Sequence, residues 1–460
     1  MGFFVVVFLV HTAINAYLFY RGWGVVKTLP KPAKIGYCVV FAVLYLAFLT
    51  AMSGRNILPL GVQKILYSIG TVWMGYMLYL TAYFLITDLG YGVKCRVKGI
   101  RCRVKGIRCK VKGTPYTFYP TPFTLYRRVQ VISGYVLVSL LLLYGNYQFN
   151  HPKIVEKEIV LNKGIAGQAR NDSLLEIADA GASLAGARSL KIVAVSDFHL
   201  GVQIDKKKLQ KYVQLINAQQ PDVIVIAGDL VDNNALPLNL EKMEEEINQL
   251  QAPLGVYFCL GNHEYLSGID ASEAFLKKTN LIVLKDSVAT IAGGVQIIGR
   301  DDKQGNPNRL SLKQIQGKGC KVKGEGCKVK DENNPAPCTL HPVPCTLHPA
   351  PVTLHPSPVT FHPSPCTFHL SPVVTILLDH EPYNLEETEA AGIDLQFSGH
   401  THHGQIFPFN KLVEHLFEVA YGYKQKGKTG VYVTSGIGLW GPPFRIGTQS
   451  EIVVVKLVIN

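Results

Sequence analysis

Five short motifs in the C-terminal half collect the side chain types that bind metals and move protons. Asp197 and His199 stand two apart, and Asp229 and Asp232 three apart. Asn262 precedes His263, His380 lies between Asp379 and Glu381, and His400 and His402 flank Thr401. Carboxylates, imidazoles and an amide oxygen make a donor set suited to Mn, Fe, Zn or Co ions. Two divalent metal ions held about 3.5–4 Å apart can clamp an attacking hydroxide and a phosphoryl oxygen. Such a site needs a carboxylate that bridges the ions and a bound water that ionises near neutral pH. It also needs an imidazole to protonate or steady the leaving oxygen.

The positions of these motifs predict the elements that carry them. Each follows a short apolar run: 190–195, 223–227, 255–260, 373–378 and 395–398. Helical patterns lie between, for example over 206–219, 240–250 and 309–316. Strands alternating with helices, with functional groups at the strand ends, are an α/β arrangement. Taken alone, His380 reads as an ordinary structural histidine. Its place after a strand and before GHTH makes it a ligand candidate. Asp232 reads equally well as a helix N-cap.

The ordered set DxH, GDxxD, GNH(D/E), H, GHxH resembles the calcineurin-like metallophosphoesterase superfamily, from about residue 190 to the C-terminus. The resemblance implies an α/β two-sheet sandwich flanked by helices. It implies that Asp197, His199 and His402 bind one metal, that Asn262, His380 and His400 bind the other, and that Asp229 bridges. His263 is then the leaving-group acid or transition-state stabiliser, with Asp232 supporting an imidazole. The stretches GHTHHGQIFPF and GIGLWGPPFR are similar to a bacterial membrane-associated branch that includes UDP-2,3-diacylglucosamine pyrophosphatases and broader phosphodiesterases. His403 departs from the glycine of that branch's GHTHGGQ. Arg445 is a candidate for a substrate phosphate, with a structural role as the alternative. Leu412, Val413, Leu416, Phe417 and Ala420 share one helical face, read as core packing, a pocket cap or a membrane contact.

Composition sets the context. Of 460 residues, 48% are hydrophobic and 17% charged, against about 25% charged in ordinary soluble domains. Two segments distort the rest. Residues 94–113 repeat a seven-residue unit with nine positive charges, and 317–332 repeat it with five positive and three negative. They supply +11 of the net +13 and leave +2 elsewhere, too little for a nucleic-acid partner. Eight of ten cysteines lie in the repeats; Cys38 and Cys259 do not, so no disulfide framework is implied. The cysteines fall seven apart, which does not match structural zinc spacing. Regular Gly and Pro exclude a coiled coil. Each unit is followed by a Pro-rich heptad run, so insertions are expected at 94–126 and 317–372, tolerated as loops.

Four uncharged apolar stretches, 2–20, 35–53, 65–87 and 129–147, each approach the ~20 residues that cross a bilayer as a helix. Residues 1–150 therefore read as a transmembrane anchor, 151–189 as a linker leading into the domain, and 190–460 as the metallophosphoesterase domain. Lys and Arg gather in the first and third loops, which favours an outside N-terminus and an extracytoplasmic catalytic domain on the inner membrane. The expected activity is hydrolysis of a phosphoester or pyrophosphate bond through a dinuclear, metal-bridged hydroxide. The expected substrate is a small-molecule or lipid-linked phosphate at the bilayer. The alternatives are a non-catalytic membrane scaffold or sensor, and a phosphodiesterase acting on nucleic acid or nucleotides.

Overall fold

The computed structural model describes residues 2–55, 57–97, 122–161, 188–291, 294–319 and 374–459. All but the ends of the two repeat insertions lie outside the described residues. So does the expectation that they form loops.

Four N-terminal helices, α1 (Gly2–Val26), α2 (Lys31–Ser53), α3 (Leu60–Val97) and α4 (Pro122–Asn150), are long and apolar enough to cross a membrane. Their outward residues stay apolar: Val39, Val40, Leu140 and Leu143 are all more than half exposed. Water would penalise that surface, whereas hydrocarbon does not. Leu18, Phe41, Trp73, Met77, Leu80, Phe84 and Leu142 fill the bundle interior. Arg21 and Asp88 fall just outside the uncharged stretches and pair with each other. Arg21 Nη1 donates to Asp88 Oδ2 at 2.5 Å, and Gln130 bonds to both residues. Such pairing is how charges persist in a bundle interior.

The chain then builds two six-stranded sheets among the described residues. The first runs in the order β1 (Lys153–Leu161), β12 (Glu451–Ile459), β2 (Arg188–Val195), β3 (Val223–Ala227), β4 (Val256–Cys259), β5 (Ile282–Leu284). The second runs β10 (Gly422–Lys426), β11 (Thr429–Val433), β9 (Leu395–Ser398), β8 (Val374–Leu378), β7 (Val295–Gly299), β6 (Ser287–Ile291). Strands β2 to β5 are mutually parallel, as are β7, β8, β9 and β11. Residues 151–189, read as a linker, thus supply β1, which pairs in parallel with β12.

Parallel strands covered on both faces should be apolar throughout, and β3, VIVIA, is buried at every position. Ile192, Ala194, Val223, Val225, Tyr257 and Cys259 point into the space between the sheets. There they meet Ile297, Ile376, Leu378, Leu395 and Phe397. The alternate residues Val193, Val195, Ile224, Ile226 and Phe258 pack outward against Leu209, Tyr212, Val213 and Ile216 of α5 (Lys206–Asn217). Each such side chain, fully buried, stabilises the fold by about 1.5–3 kcal/mol. The helix expected over 240–250 is instead two short ones, α6 (Leu236–Glu241) and α7 (Glu244–Ile247). Lys242 takes a left-handed backbone (φ 52) between them, and Met243 is fully buried in the core. The remaining described helices are α8 (Asn262–Leu266), α9 (Ile269–Leu276), α10 (Leu312–Gly319), α11 (Leu385–Ala390) and α12 (Phe409–Leu416), with a 3-10 turn at His402–Gly404.

The domain is seated on the bundle. Ile406, Phe444 and Ile446 join the bundle's apolar cluster. Two glycines permit this approach: a Cβ on Gly75 would meet the Phe444 ring at 2.7 Å, and one on Gly145 would meet Ile446 at 2.6 Å. Arg445 N donates to Gly145 O at 2.9 Å, and Asn146 Nδ2 to Pro443 O at 3.0 Å. Near the start of α3, Lys64 pairs with Glu241.

Candidate metal centre

All five ligand-bearing loops leave the C-terminal ends of neighbouring strands: β2, β3 and β4 of the first sheet, β8 and β9 of the second. The sandwich brings those ends together. Reversing the chain there requires unusual backbone. Asp197 (φ 54), His199 (φ 49), Asp229 (φ 55), His400 (φ 68) and His402 (φ 47) are all left-handed, a conformation that costs a non-glycine residue of order 1 kcal/mol or more and clusters at functional sites. At Gly228 (φ +82), a Cβ would run into the His380 ring.

The side chains converge as the motif spacing predicts. Nε2 of His199 lies 3.0 Å from Nε2 of His402, and His402 Nε2 lies 3.4 Å from Asp197 Oδ1. His380 Nε2 lies 3.1 Å from Asp229 Oδ2, and His199 Nε2 3.7 Å from the same oxygen. Asp229 therefore stands between two groups of donors. His400 Nδ1 is 3.3 Å from Asn262 Oδ1. Ligand atoms of Asp197, His199 and His402 lie within 4.8 Å of one another, and so do those of Asp197, Asp229 and His380.

The chemistry of these donors fits metal ions. His380 Nδ1 lies 2.7 Å from Ala227 O, which fixes the ring and aims its buried Nε2 at Asp229 Oδ2, 3.1 Å away. Burial disfavours the imidazolium, yet Asp229 and Asp197 hold the ring well above its ordinary range. A ring fixed at one nitrogen with the other turned into the cluster is the arrangement of a metal ligand. Burial together with the charge of His380 pushes His400 down to about 4. Burial and His199 hold His402 well below the usual imidazole range. Neutral rings offer lone pairs. Burial works against the charge on Asp229, but His380, His263 and His199 keep its carboxyl well below its ordinary range.

His263 sits at the rim, with 15% of its side chain exposed. Its Nδ1 lies 3.1 Å from Asp232 Oδ1. Burial disfavours the imidazolium, yet that bond and the charges of Asp229 and Asp232 push the ring up to about 9. Asp232 caps no helix. The next helix, α6, starts at Leu236 with Ala235 as its cap.

Two expectations, on Arg445 and on the face of α12, are revised, and His403 is placed. Arg445 is fully buried, and its guanidinium donates to His402 O (2.8 Å), Ser435 O (2.6 Å) and Gly438 O (2.6 Å). It has no open face for a substrate phosphate, because backbone carbonyls occupy its two Nη groups and its Nε is buried. His403 stacks on Tyr421 at 4.4 Å and contacts Glu414 at 3.1 Å. The expected face is divided: Leu412 and Leu416 of α12 are 53% and 63% exposed, Val413 and Phe417 are half-buried, and Ala420, beyond the helix, is buried.

Two groups of residues escaped the sequence reading. Glu264 is fully buried and accepts the backbone N–H groups of Asp229, Leu230, Val231 and Gly261, at 2.7 to 3.1 Å. It fixes the loop that carries Asp229, and its signal was present as the last letter of GNHE. Asp379 pairs with Arg309 at 2.8 Å, and Arg300 with Glu387 at 2.8 Å, beneath His380. Glu381 lies 3.8 Å from His400 Nε2, and Gln304 Nε2 donates to it at 2.5 Å. Arg300 follows β7 directly, with the buried Asp301 and Asp302 after it, so the strand-end rule applied to that strand points to this group.

Residues 190–325 match the family described as Calcineurin-like phosphoesterase. The chain is 31% identical over 272 residues to an uncharacterized metallophosphoesterase of Campylobacter jejuni, covering 59% of each chain. It is 27% identical over 339 residues to a transmembrane protein with metallophosphoesterase domain of Danio rerio, covering 71% of this chain and 62% of that one. The Bos taurus protein of the same name is 32% identical over 278 residues, covering 57% and 52%. The chain thus spans about three-fifths of the length of the curated relatives it matches first. None of these names carries a substrate, so the resemblance to UDP-2,3-diacylglucosamine pyrophosphatases gains no support from them. Residues 190–325 thus resemble a calcineurin-like phosphoesterase domain, and the strand-end ligands gather into a buried His/Asp cluster able to hold metal ions.

Proposed function

We propose that this protein is a membrane-anchored phosphohydrolase that uses two divalent metal ions to cleave phosphoester or pyrophosphate bonds. One observation carries the reading. Asp229 stands between the Nε2 atoms of His380 and His199, at 3.1 and 3.7 Å, with the imidazoles of His400 and His402 beyond them. Asp197, His199 and His402 would hold one ion, Asn262, His380 and His400 the other, and Asp229 both. When bound, the ions would polarise the phosphoryl oxygens and lower the pKa of a bound water.

The chain's own residues do the rest. Asp232 holds His263 Nδ1 and leaves Nε2 facing the rim. From there the ring delivers a proton to the leaving oxygen. Glu264 keeps the Asp229 carboxylate in register. Arg445 fixes the carbonyl of His402. The four spans hold the site at a bilayer, which favours a lipid-linked or small-molecule phosphate substrate. The distribution of Lys and Arg supports an extracytoplasmic catalytic face.

The test uses the full chain in phosphatidylcholine vesicles. Metal content is measured beside turnover of p-nitrophenyl phosphate, bis(p-nitrophenyl) phosphate and a dinucleoside pyrophosphate, with Mn, Fe, Zn or Co supplied. Asp229→Asn should lose both metal and turnover. Full metal occupancy in the wild type with no turnover of any of the three would favour a non-catalytic role.

A further inference from the structure

Between the spans α3 and α4 lies a groove of about 470 Å³. Ala82, Ile86, Leu137 and Leu141 wall it from the bundle, and Phe407 and Pro408 of the catalytic domain close one side. The Tyr79 hydroxyl ties the two parts by donating to Phe407 O at 2.7 Å. Two walls are flanks of membrane-crossing helices, where the surrounding medium is hydrocarbon. The Tyr79 and Tyr83 hydroxyls that border it are already engaged, with Phe407 O and Ser133, so a polar ligand gains little there.

The third wall leads to the metal-binding cluster. Phe407 lies five positions after His402. Fully extended, five residues reach at most about 18 Å, and here part of that stretch is coiled into a 3-10 turn. One leaflet's hydrocarbon, half of the ~30 Å bilayer core, is about 15 Å deep. A single acyl chain can therefore lie in the groove while its headgroup reaches the cluster.

The surroundings carry the same sign. After Pro408 the chain enters α12, whose Phe409, Leu412 and Leu416 are 43%, 53% and 63% exposed. That face continues the lipid-facing surface of the bundle, as an interfacial helix does. The mouth of the site has an apolar rim. Trp440 lies 6.3 Å from the His263 ring, and Tyr383 and Phe417 lie 6.3 and 6.1 Å from His400.

We propose that the groove seats an acyl chain of a lipid drawn from the adjoining leaflet, which presents the phosphate of that lipid to the metal-binding cluster. The substrate is then a lipid-linked phosphate. This rests on the phosphohydrolase reading above and names its substrate class and route. The bound chain is one from the bilayer, not a second copy of this protein. The groove opens between spanning helices, and α12 places catalytic-domain carbon at the same surface.

The experiment uses the full chain in phosphatidylcholine–phosphatidylglycerol vesicles and has two separate readouts. The first is photo-crosslinking by a phosphatidic acid with a diazirine near the end of its acyl chain, mapped by mass spectrometry. Adducts should concentrate on the α3 and α4 walls and on Phe407. Ala82→Trp, which fills the groove from a lipid-exposed position, should reduce them at least tenfold. The second readout is turnover of dioleoyl phosphomonoester, phosphodiester and pyrophosphate lipids against their water-soluble dibutyryl counterparts. Ala82→Trp should lower kcat/KM at least tenfold for the preferred dioleoyl lipid and leave bis(p-nitrophenyl) phosphate unchanged. Leu137→Trp repeats the block from the opposite wall should Ala82→Trp fail to insert. Adducts spread evenly over the lipid-facing residues of α2 and α4 overturn the proposal. So does an equal loss on long and short chains, or an adduct to a second copy. Absence of turnover on the soluble ester counts against the phosphohydrolase reading alone, and the crosslinks still decide the groove.

Discussion

Replacing Arg445 by methionine separates a structural clamp from a substrate contact. The side chain is fully buried and makes three close donations, to His402 O, Ser435 O and Gly438 O. Burial pushes its pKa down to about 10, so it stays charged at neutral pH. Methionine keeps much of the volume and removes every donor. Hydrogen bonds from a charged group contribute about 1.5–3 kcal/mol each, so losing three costs about 4 kcal/mol or more. That is a large share of the roughly 5–15 kcal/mol stability of a domain. At about 2–4 °C per kcal/mol for a domain of this size, the thermal transition should fall by about 8–16 °C. Because one bond holds the carbonyl of His402, metal content should fall as well. The assay is thermal unfolding of the full chain in nanodiscs, with metal content and turnover of bis(p-nitrophenyl) phosphate measured in parallel. Arg445→Lys should recover part of the loss, since an ammonium reaches fewer of the three carbonyls. Unchanged melting and metal content, with KM raised tenfold or more, would show that the guanidinium meets substrate and that the clamp is wrong.

Further outcomes follow from the same geometry. His263→Ala should keep its metals and lose turnover by about 10²–10⁴-fold; loss of metal content in that variant would contradict a role at the rim. Asp232→Asn should slow turnover more than it lowers metal content, because the close 3.1 Å contact is to His263 and the one to His199 Nδ1 is longer, at 3.7 Å. Glu264→Ala leaves four buried backbone N–H groups without an acceptor, at about 1–3 kcal/mol each, so the protein should fail to accumulate folded; normal melting would refute that role. Gly145→Val should unseat Ile446 and reduce turnover while membrane insertion, read by protease protection, is unchanged.

The fold of the C-terminal domain was legible to the extent that local sequence decides it. Strands β2, β3, β8 and β9 fall within a residue or two of the runs that predict them, because buried parallel strands are rich in apolar residues; the buried Thr375, Gln396 and Ser398 are hydrogen-bonded instead. The ligands were legible because chemistry restricts their types and because each sits just past a strand. The four spans were legible from length and lack of charge alone. By contrast, β1 was read as linker. Its sequence KIVEKEIVL mixes charge with apolar residues, as an edge strand does when only one partner covers it. Nothing local announces that the partner lies some 300 residues away in β12.

Arg445 shows the remaining gap most clearly. An arginine among Pro, Gly and aromatic residues near a phosphate-type site suggests a ligand contact, because its fork matches phosphate. The residues on either side decide otherwise. Phe444 and Ile446 point into the bundle beside Gly75 and Gly145, and Arg445 between them points the opposite way, into the catalytic domain. That alternation across three residues places one flank in the apolar interior of the anchor and the other on the carbonyl of His402. It can be read only once both partners are known, because each lies far off in sequence. The same alternation makes the bundle part of the frame that holds His402, so the anchor sets more than location. A change that shifts α4 against α3 should be felt at the metal-binding cluster through this one segment.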